Sequence, residues 1–393
     1  MSGAANIVPA LPADPALRAV FAALPEARVV GGAVRDALAG RAVADIDLAT
    51  PRRPEQVIEA LEAAGLRAVP TGIAHGTVTA VVDRRPFEIT TLRLDEETDG
   101  RHARIAYTDD WREDAARRDF TMNAMSMTAR AELFDYFGGR ADLAAGRVRF
   151  VGDPATRVAE DYLRILRFFR FHARYGRGEP DAGAVAAIRA GVAGLARLSP
   201  ERVWSELVRI LAAPDPRKAI ALMAELGVLS AVLPEAANAD RLARLVAAGA
   251  PADPLLRLAA LLDGDSIALS VRLKLSVAGR DRLAALRGGP VPQSSANEAD
   301  LRRLLADTPA EVLINRAWLA GGDAPDWATL RRRIGALTRP VFPLEGRDVL
   351  SLGVPPGPRV GALLRAVREW WLDGGCVADA AACRAELARR VCG

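Results

Sequence analysis

VVGGAVRDALAGRAVADIDLAT, residues 29–50, is the stretch that decides how the chain is read. Val29 and Val30 end an apolar run, ARVV, that reads as a strand, and Gly31-Gly32 turn it sharply. AVRDALAG is then a short helix stopped by Gly40, and ADIDLAT a second strand ended by Pro51. Asp45 and Asp47 are two apart on that strand, so their side chains share a face. Two carboxylates at this spacing suit Mg²⁺, which takes hard oxygen ligands and keeps room for phosphates. They equally suit a solvated strand end. The glycines upstream favour the first reading, because they let a backbone approach phosphate closely, and Arg35 adds a forked donor. Asp36 reads as a residue that ties the turn together.

The next segments extend the sheet. PEQVIEALEAAG is a helix stopped by Gly65, and GTVTAVVDRRPFEITTLRL gives two strands around a turn at Asp83–Pro86. Glu88 lies in the second of these, the natural neighbour of the Asp45–Asp47 strand. It is a candidate third carboxylate, as base or metal support, or else a salt-bridge partner of Arg93 or Arg118. From about Arg140 helical periodicity takes over. PATRVAEDYLRILRFFRFHARYG (154–176) reads as one helix, with Val158, Tyr162, Ile165, Leu166 and Phe169 on its apolar face. SPERVWSELVRILAA opens with Ser199 as cap and Pro200 at the first helical position. Further helices are expected over 217–226, 240–248, 255–262, 276–286, 298–305, 309–320, 327–337, 360–373 and 377–391. RGGPVPQSSANEAD (287–300) reads as a linker. The fold class is α+β: a small N-terminal sheet domain, then all-helical segments. The expected divisions are a head over 1–139, a neck over 140–215, a body over 216–290 and a tail over 291–393.

Composition narrows the classes. The 393 residues carry 53 basic and 49 acidic side chains, a formal charge of +4 and a pI near 9.3. Only Lys218 and Lys274 among the basic residues are lysines, so the chain is rich in forked donors suited to phosphate. Mean hydropathy is +0.08, much of it alanine, and no apolar run reaches the roughly 18 residues of a membrane span. The N-terminus does not read as a secretory signal. Cys376, Cys383 and Cys392 are odd in number and lack ligand spacing, which points to a reducing, cytoplasmic setting. Three histidines are too few for a zinc or histidine–aspartate phosphohydrolase centre. Nothing indicates an obligate protein partner.

Two further clusters carry chemistry. DAARRDFTMNAM brings together Arg117, Arg118, Asp119 and Asn123, with Asp119 and Asn123 four apart on one helical face. Such a set can hold a ribose 2′-hydroxyl, which donates and accepts; it can also be a helix start with an acidic cap. In AEDYLRILRFFRF, Asp161 and Arg164 are three apart. A carboxylate beside a guanidinium offers an acceptor next to donors, matching the edges of cytosine and adenine. Uracil and guanine would turn a carbonyl towards Asp161, a mismatch of about 1–3 kcal/mol in a dry pocket. From spacing alone, an i,i+3 salt bridge on a helix surface is the plainer alternative.

Taken in order, GGAVRD, DIDLAT, HGTVT, FEITTLR, DGRHARIAYTDDWREDAARRDFTMNAM, DLAAGRVRFVGDPATRVAEDYLRILRFFRF and SPERVWSEL resemble the class II tRNA nucleotidyltransferase family. That family holds CCA-adding enzymes, A-adding enzymes and bacterial poly(A) polymerases. The resemblance runs from about Arg28 to Leu211. It implies template-independent addition of C, C and A to tRNA 3′ ends from CTP and ATP with Mg²⁺, or the poly(A) or A-adding activity of the relatives. Asp45 and Asp47 then match the metal-binding carboxylates and Glu88 the third acid. Gly31, Gly32 and Arg35 match the triphosphate contacts, and Arg118 and Asp119 the ribose-selecting segment with Asn123 beside them. Asp161 and Arg164 match the base-reading template, with Glu160 and Arg167 in support. TLRLDEETDGRHARIAYTDDW resembles a segment that reshapes the pocket, and SPERVWSEL one that steadies the neck. No fused histidine–aspartate domain is evident, so no phosphatase activity is expected. Arg272, Arg282, Arg331, Arg332 and Arg333 are candidates for tRNA phosphates, or ordinary solvated faces.

Overall fold

The protein is described by a computed structural model covering residues 14–43, 45–98, 103–236 and 238–392. The chain clusters into two compact units, Met1–Pro234 and Glu235–Gly393.

The first unit begins with α1 (Pro15–Ala23), capped by Asp14, whose carboxylate accepts from the amides of Ala16 and Leu17. Then come β1 (Arg28–Val30), α2 (Gly32–Leu38), β2 (Asp47–Thr50), α3 (Pro54–Ala63), β3 (Arg67–Gly72), β4 (Thr77–Val82) and β5 (Arg85–Thr91). A separate hairpin, β6 (Arg93–Thr98) and β7 (Ala103–Tyr107), precedes α4 (Trp111–Ala116), β8 (Met125–Met127) and β9 (Leu133–Asp135). Residues 99–102, within the segment expected to reshape the pocket, lie outside the described residues.

The strands form a seven-stranded mixed sheet in the order β3-β4-β5-β2-β1-β8-β9. Only the β2–β5 pairing is parallel; the other neighbours are antiparallel. Burial explains the placement. In β2 Leu48, Ala49 and Thr50 are all buried, as a central strand requires, whereas β5 alternates, with Phe87 and Ile89 inward and Glu88 outward. The β4–β5 turn uses Asp83 and Arg84 at φ 50° and 64°, the paired positive values a two-residue hairpin needs.

Helices take over from residue 139: α5 (Gly139–Ala145), α6 (Pro154–Glu160), α7 (Leu163–Tyr175), α8 (Ala182–Gly191), α9 (Pro200–Leu211), α10 (Arg217–Glu225) and α11 (Val228–Val232). Phe120, Phe150, Phe168 and Phe171 pack together, with ring centroids 4.8 Å apart for Phe120–Phe150 and 5.2 Å for Phe120–Phe171. This aromatic core ties α7 to the segment following α4. The single helix expected over 154–176 is two. Asp161 is extended, at φ −154° and ψ 106°, and ends α6, while its carboxylate accepts from the Leu163 amide as α7 starts. An aspartate competing for backbone donors breaks a run that apolar periodicity alone continues. Ser199 does stand at the N-cap of α9 with Pro200 behind it, but its hydroxyl makes no capping bond.

The second unit is helical: α12 (Ala239–Ala247), α13 (Pro254–Leu261), α14 (Ser266–Arg272), α15 (Val277–Arg287), α16 (Glu298–Asp307), α17 (Ala310–Gly321), α18 (Pro325–Ala336), α19 (Gly346–Leu350), α20 (Pro358–Asp373) and α21 (Ala380–Cys392). Leu301, Leu305, Leu313, Leu330 and Ile334 form one buried cluster, and Val349, Val367, Trp371, Cys383 and Leu387 another. Among the described residues no helix is long and apolar enough to cross a membrane.

Candidate active site

The β1–α2 turn needs glycine. Gly31 sits at φ +65°, and a Cβ there would meet the Arg118 guanidinium at 2.9 Å. Thus Arg118 lies against the turn. It reaches that position because Asp114 on α4, itself buried, accepts from Arg118 Nη2 (3.2 Å) and from Arg117 Nη2 (2.7 Å). Asp114 was not singled out in the sequence, although its i,i+3 and i,i+4 spacing to two arginines was readable. Burial pushes its carboxyl up, but Arg118 and Arg117 outweigh that and hold it below the usual aspartate range.

Asp47 opens β2 and Glu88 stands opposite it in register on β5, both exposed. Asp45 lies just before the strand rather than on it, also exposed, with Ile46 buried between the two aspartates. That alternation keeps Asp45 and Asp47 on one side. Although Asp47 retains solvent contact, desolvation at the strand end raises its carboxyl above the ordinary value. The negative charge of Glu88 raises it further, Arg118 opposes, and Asp45 adds to the rise. Three mutually repelling carboxylates beside a glycine turn are a place where a cation is favourable. Among the described residues no group of three or more His, Cys, Asp or Glu converges closely enough to hold a metal ion by itself. Asp45, Asp47 and Glu88 offer hard carboxylate oxygens, the donor type that Mg²⁺ prefers.

Behind the turn runs a buried polar network. Arg35, buried, donates from Nε and Nη2 to Asp36 (3.1 and 3.0 Å) and from Nη1 to Asn123 Oδ1 (2.6 Å). The forked contact expected from Arg35 to a triphosphate is spent on Asp36, since a buried guanidinium requires a paired anion. Asp36 also accepts from the Tyr175 hydroxyl on α7. Asn123 Nδ2 donates to Asp119 Oδ1 (2.9 Å), which also accepts the Phe120 amide (2.9 Å), and Arg167 Nε donates to Asp119 Oδ2 (2.7 Å). Asp119 and Asn123 thus meet, though through a 3₁₀ turn at Thr121–Asn123 and not on a helical face. Burial pushes the Asp119 carboxyl up, but Arg167, Asn123 and the Phe120 amide together hold it below its usual range. With both oxygens engaged, Asp119 orders the segment that carries Arg118.

At the α6–α7 break, Asp161 and Arg164 do not pair. Asp161 accepts from Arg202 Nη2 on α9 at 2.7 Å. Arg164 pairs with Glu160 and donates to the carbonyls of Arg157 (3.0 Å) and Arg117 (3.3 Å). The i,i+3 salt bridge is absent because the chain turns between the two residues. What remains is a carboxylate and a guanidinium at the same helix break, each fixed by a different partner. Arg202, from SPERVWSEL, had no role assigned from sequence; its contact spans 41 positions, out of reach of any periodicity. Glu206 in the same segment, buried, accepts from Arg170 (3.0 Å) and Arg209 (3.1 Å).

The expected tRNA arginines divide. Arg331 is buried, donates to the Gly322 carbonyl (2.7 Å) and stacks over Trp318 at 3.4 Å, so it is a core residue and no phosphate contact. Arg272 is paired with Glu235 (2.6 Å), and Arg282 with Asp253 and Glu311 (both 2.6 Å). Arg332 is exposed, with one bond to Thr329 Oγ1 (3.1 Å).

Known proteins resemble the chain along most of its length. Residues 27–149 match the family described as the Poly A polymerase head domain, and 180–240 the one described as a probable RNA and SrmB-binding site of polymerase A. The mitochondrial CCA tRNA nucleotidyltransferase 1 of Mus musculus is 37% identical over 370 residues, 89% of this chain and 83% of that protein. The CCA-adding enzyme of Geobacillus kaustophilus is 34% identical over 87% of each. The crystal structure of the Bacillus stearothermophilus CCA-adding enzyme in complex with CTP superposes with a TM-score of 0.78 at 27% identity, covering 96% of this chain and 98% of that one. With glycine turn, carboxylates and helical units all inside a similarity of this extent, the chain belongs to the CCA-adding enzyme family of tRNA nucleotidyltransferases.

Proposed function

We infer that the protein adds C, C and A to the 3′ end of tRNA, taking CTP and ATP and releasing pyrophosphate, with no nucleic-acid template. The observation that carries this is the reach of the similarity to CCA-adding enzymes through the sheet and the helical unit alike, 89% of the chain for the mouse relative. The residue roles that follow are part of the proposal. Gly31 and Gly32 bring backbone close to the triphosphate, and Arg118, held by Asp114, faces its charge. Asp45 and Asp47 would hold Mg²⁺, which when bound would supply neutralisation of the triphosphate and a lowered pKa for the attacking hydroxyl. The 3′-oxygen of the RNA attacks the α-phosphorus in line, and the bond to pyrophosphate breaks. Glu88, exposed and in register with Asp47, accepts the hydroxyl proton or orients its carrier. Asp161 and Arg164, braced by Arg202 and Glu160, read the base edge, accepting from the amino group that cytosine and adenine share. We assign residues 1–139 to catalysis, 140–215 to base reading, and 216–290 and 291–393 to holding the tRNA. A cytoplasmic, reducing location suits the three free cysteines, two of them buried.

Incubation of tRNA lacking its last three nucleotides with CTP alone, ATP alone and both, followed by sequencing of the 3′ ends, tests the reading. Two C with CTP alone and CCA with both are expected. Homopolymeric A on unrelated RNA marks a poly(A) polymerase instead, and A only on ends already carrying CC an A-adding enzyme.

A further inference from the structure

On the first unit a cavity of about 550 Å³ opens between the C-terminal ends of α2 and α7 and one side of α5. Four arginines line it, Arg41, Arg140, Arg174 and Arg177, and among the described residues no carboxylate lines it with them. The chain as a whole is nearly balanced, 53 basic against 49 acidic side chains, so four cations around one concavity are a local excess. The acids nearest in sequence are engaged elsewhere. Asp36 is held by Arg35 and Tyr175, and Asp142 by Thr121 and Arg149. Glu179, two residues past Arg177, is exposed and does not line the cavity.

The fold fixes the Arg41 side chain and the backbone of Arg177. Arg41 donates from Nη2 to the Arg174 carbonyl (2.8 Å), and its guanidinium lies 4.6 Å over the Tyr175 ring, leaving its remaining donors for the cavity. Arg177 is seated by its amide on the Gly146 carbonyl (2.8 Å); a Cβ at Gly146, at φ +69°, would meet Arg177 Cβ at 2.6 Å. Arg140, Arg174 and Arg177 are exposed at the rim, and Arg41 is half-buried. Guanidiniums gathered around one concavity repel one another, and an anion with several oxygens relieves that while using their forked donors. The concavity admits one or two phosphate groups with their substituents.

We propose that this cavity is a phosphate-binding site separate from the triphosphate turn, taking a phosphodiester of the bound RNA strand; a free phosphate or pyrophosphate shares the chemistry. The strand as occupant rests on the tRNA reading above. Binding of labelled tRNA by the full-length protein, followed by anisotropy across a salt series, is compared for the wild type, Arg140→Ala/Arg177→Ala and Arg140→Lys/Arg177→Lys. The alanine pair is expected to bind about 10-fold more weakly at low salt, with the slope of log K against log salt reduced by about 1–2, and lysine to restore much of both. CMP transfer at saturating tRNA and the KM for CTP are expected to stay at wild-type values. Calorimetric titration with inorganic pyrophosphate separates the sources. If the alanine pair loses a pyrophosphate site while its tRNA slope stays unchanged, the occupant is the free anion and the phosphate assignment holds. Unchanged tRNA binding together with unchanged pyrophosphate binding overturns the proposal, and so does a raised KM for CTP, which would merge the cavity with the catalytic site. Wild-type protein that transfers no nucleotide to tRNA would instead overturn the functional reading, whatever the cavity binds.

Discussion

Asp161 and Arg164 show how far one residue's behaviour is set by residues distant in sequence. They are three apart on the chain, yet each is engaged by a different partner, Arg202 and Glu160. Replacing Arg202 by methionine removes the donor at 2.7 Å and frees Asp161 to turn towards Arg164. Discrimination between C or A and U or G is then expected to fall about 10-fold, the scale of one misplaced polar contact of roughly 1–3 kcal/mol. Ratios of kcat/KM for the four triphosphates measure it; unchanged ratios with a stable fold would show that Arg202 does not position the template. Asp119 gives a second residue-scale test. Its carboxylate is buried against Arg167, and Asp119→Asn leaves that guanidinium without a full counter-charge. Removing one partner of such a pair costs about 3 kcal/mol. Urea unfolding of the variant checks the figure, and a midpoint unchanged from wild type contradicts it.

At the scale of elements, the turn between β1 and α2 couples backbone conformation to the site. Gly31→Ala places a methyl group against Arg118 and forces an L-residue to φ +65°. The expected cost is about 1–3 kcal/mol of strain, together with displacement of Arg118 and loss of most transfer activity with tRNA binding retained. Steady-state kinetics beside an anisotropy titration separates the two effects; full activity in the variant would show that Arg118 need not lie against the turn. This turn was legible in the sequence because glycine pairs and alternating strands are local signals, and so were the strand carrying Glu88 and most of the later helices. The α6–α7 break was not, because apolar residues continue through it and only the long-range hold on Asp161 shows the chain turning. Nor was the commitment of Arg35 to Asp36, or of Arg331 to Trp318 and the Gly322 carbonyl: an arginine's partner in space leaves no mark on its neighbours in sequence.

Across the whole molecule, charge decides the response to pH and salt. Asp114 and Asp119 both sit below their usual range in the folded chain, so each contributes stability above its unfolded value, near 3.8, and loses it as pH falls through the lower folded value. Thermal stability is expected to be flat in these two groups at neutral pH and to drop below about pH 4. The drop should be smaller in Asp119→Asn, and melting curves from pH 7 to 3 check this; equal slopes for variant and wild type would contradict it. With an arginine-rich surface, tRNA affinity should fall steeply with salt. On the proposed mechanism, Asp45 and Asp47 would grip the cation that serves the triphosphate. Single-turnover transfer of CMP to tRNA lacking its 3′ end, in wild type and Asp47→Ala with Mg²⁺ present, tests it most directly. A loss of at least about 1,000-fold in the transfer step is expected, with tRNA affinity within about twofold. Transfer by Asp47→Ala at the wild-type rate would contradict it.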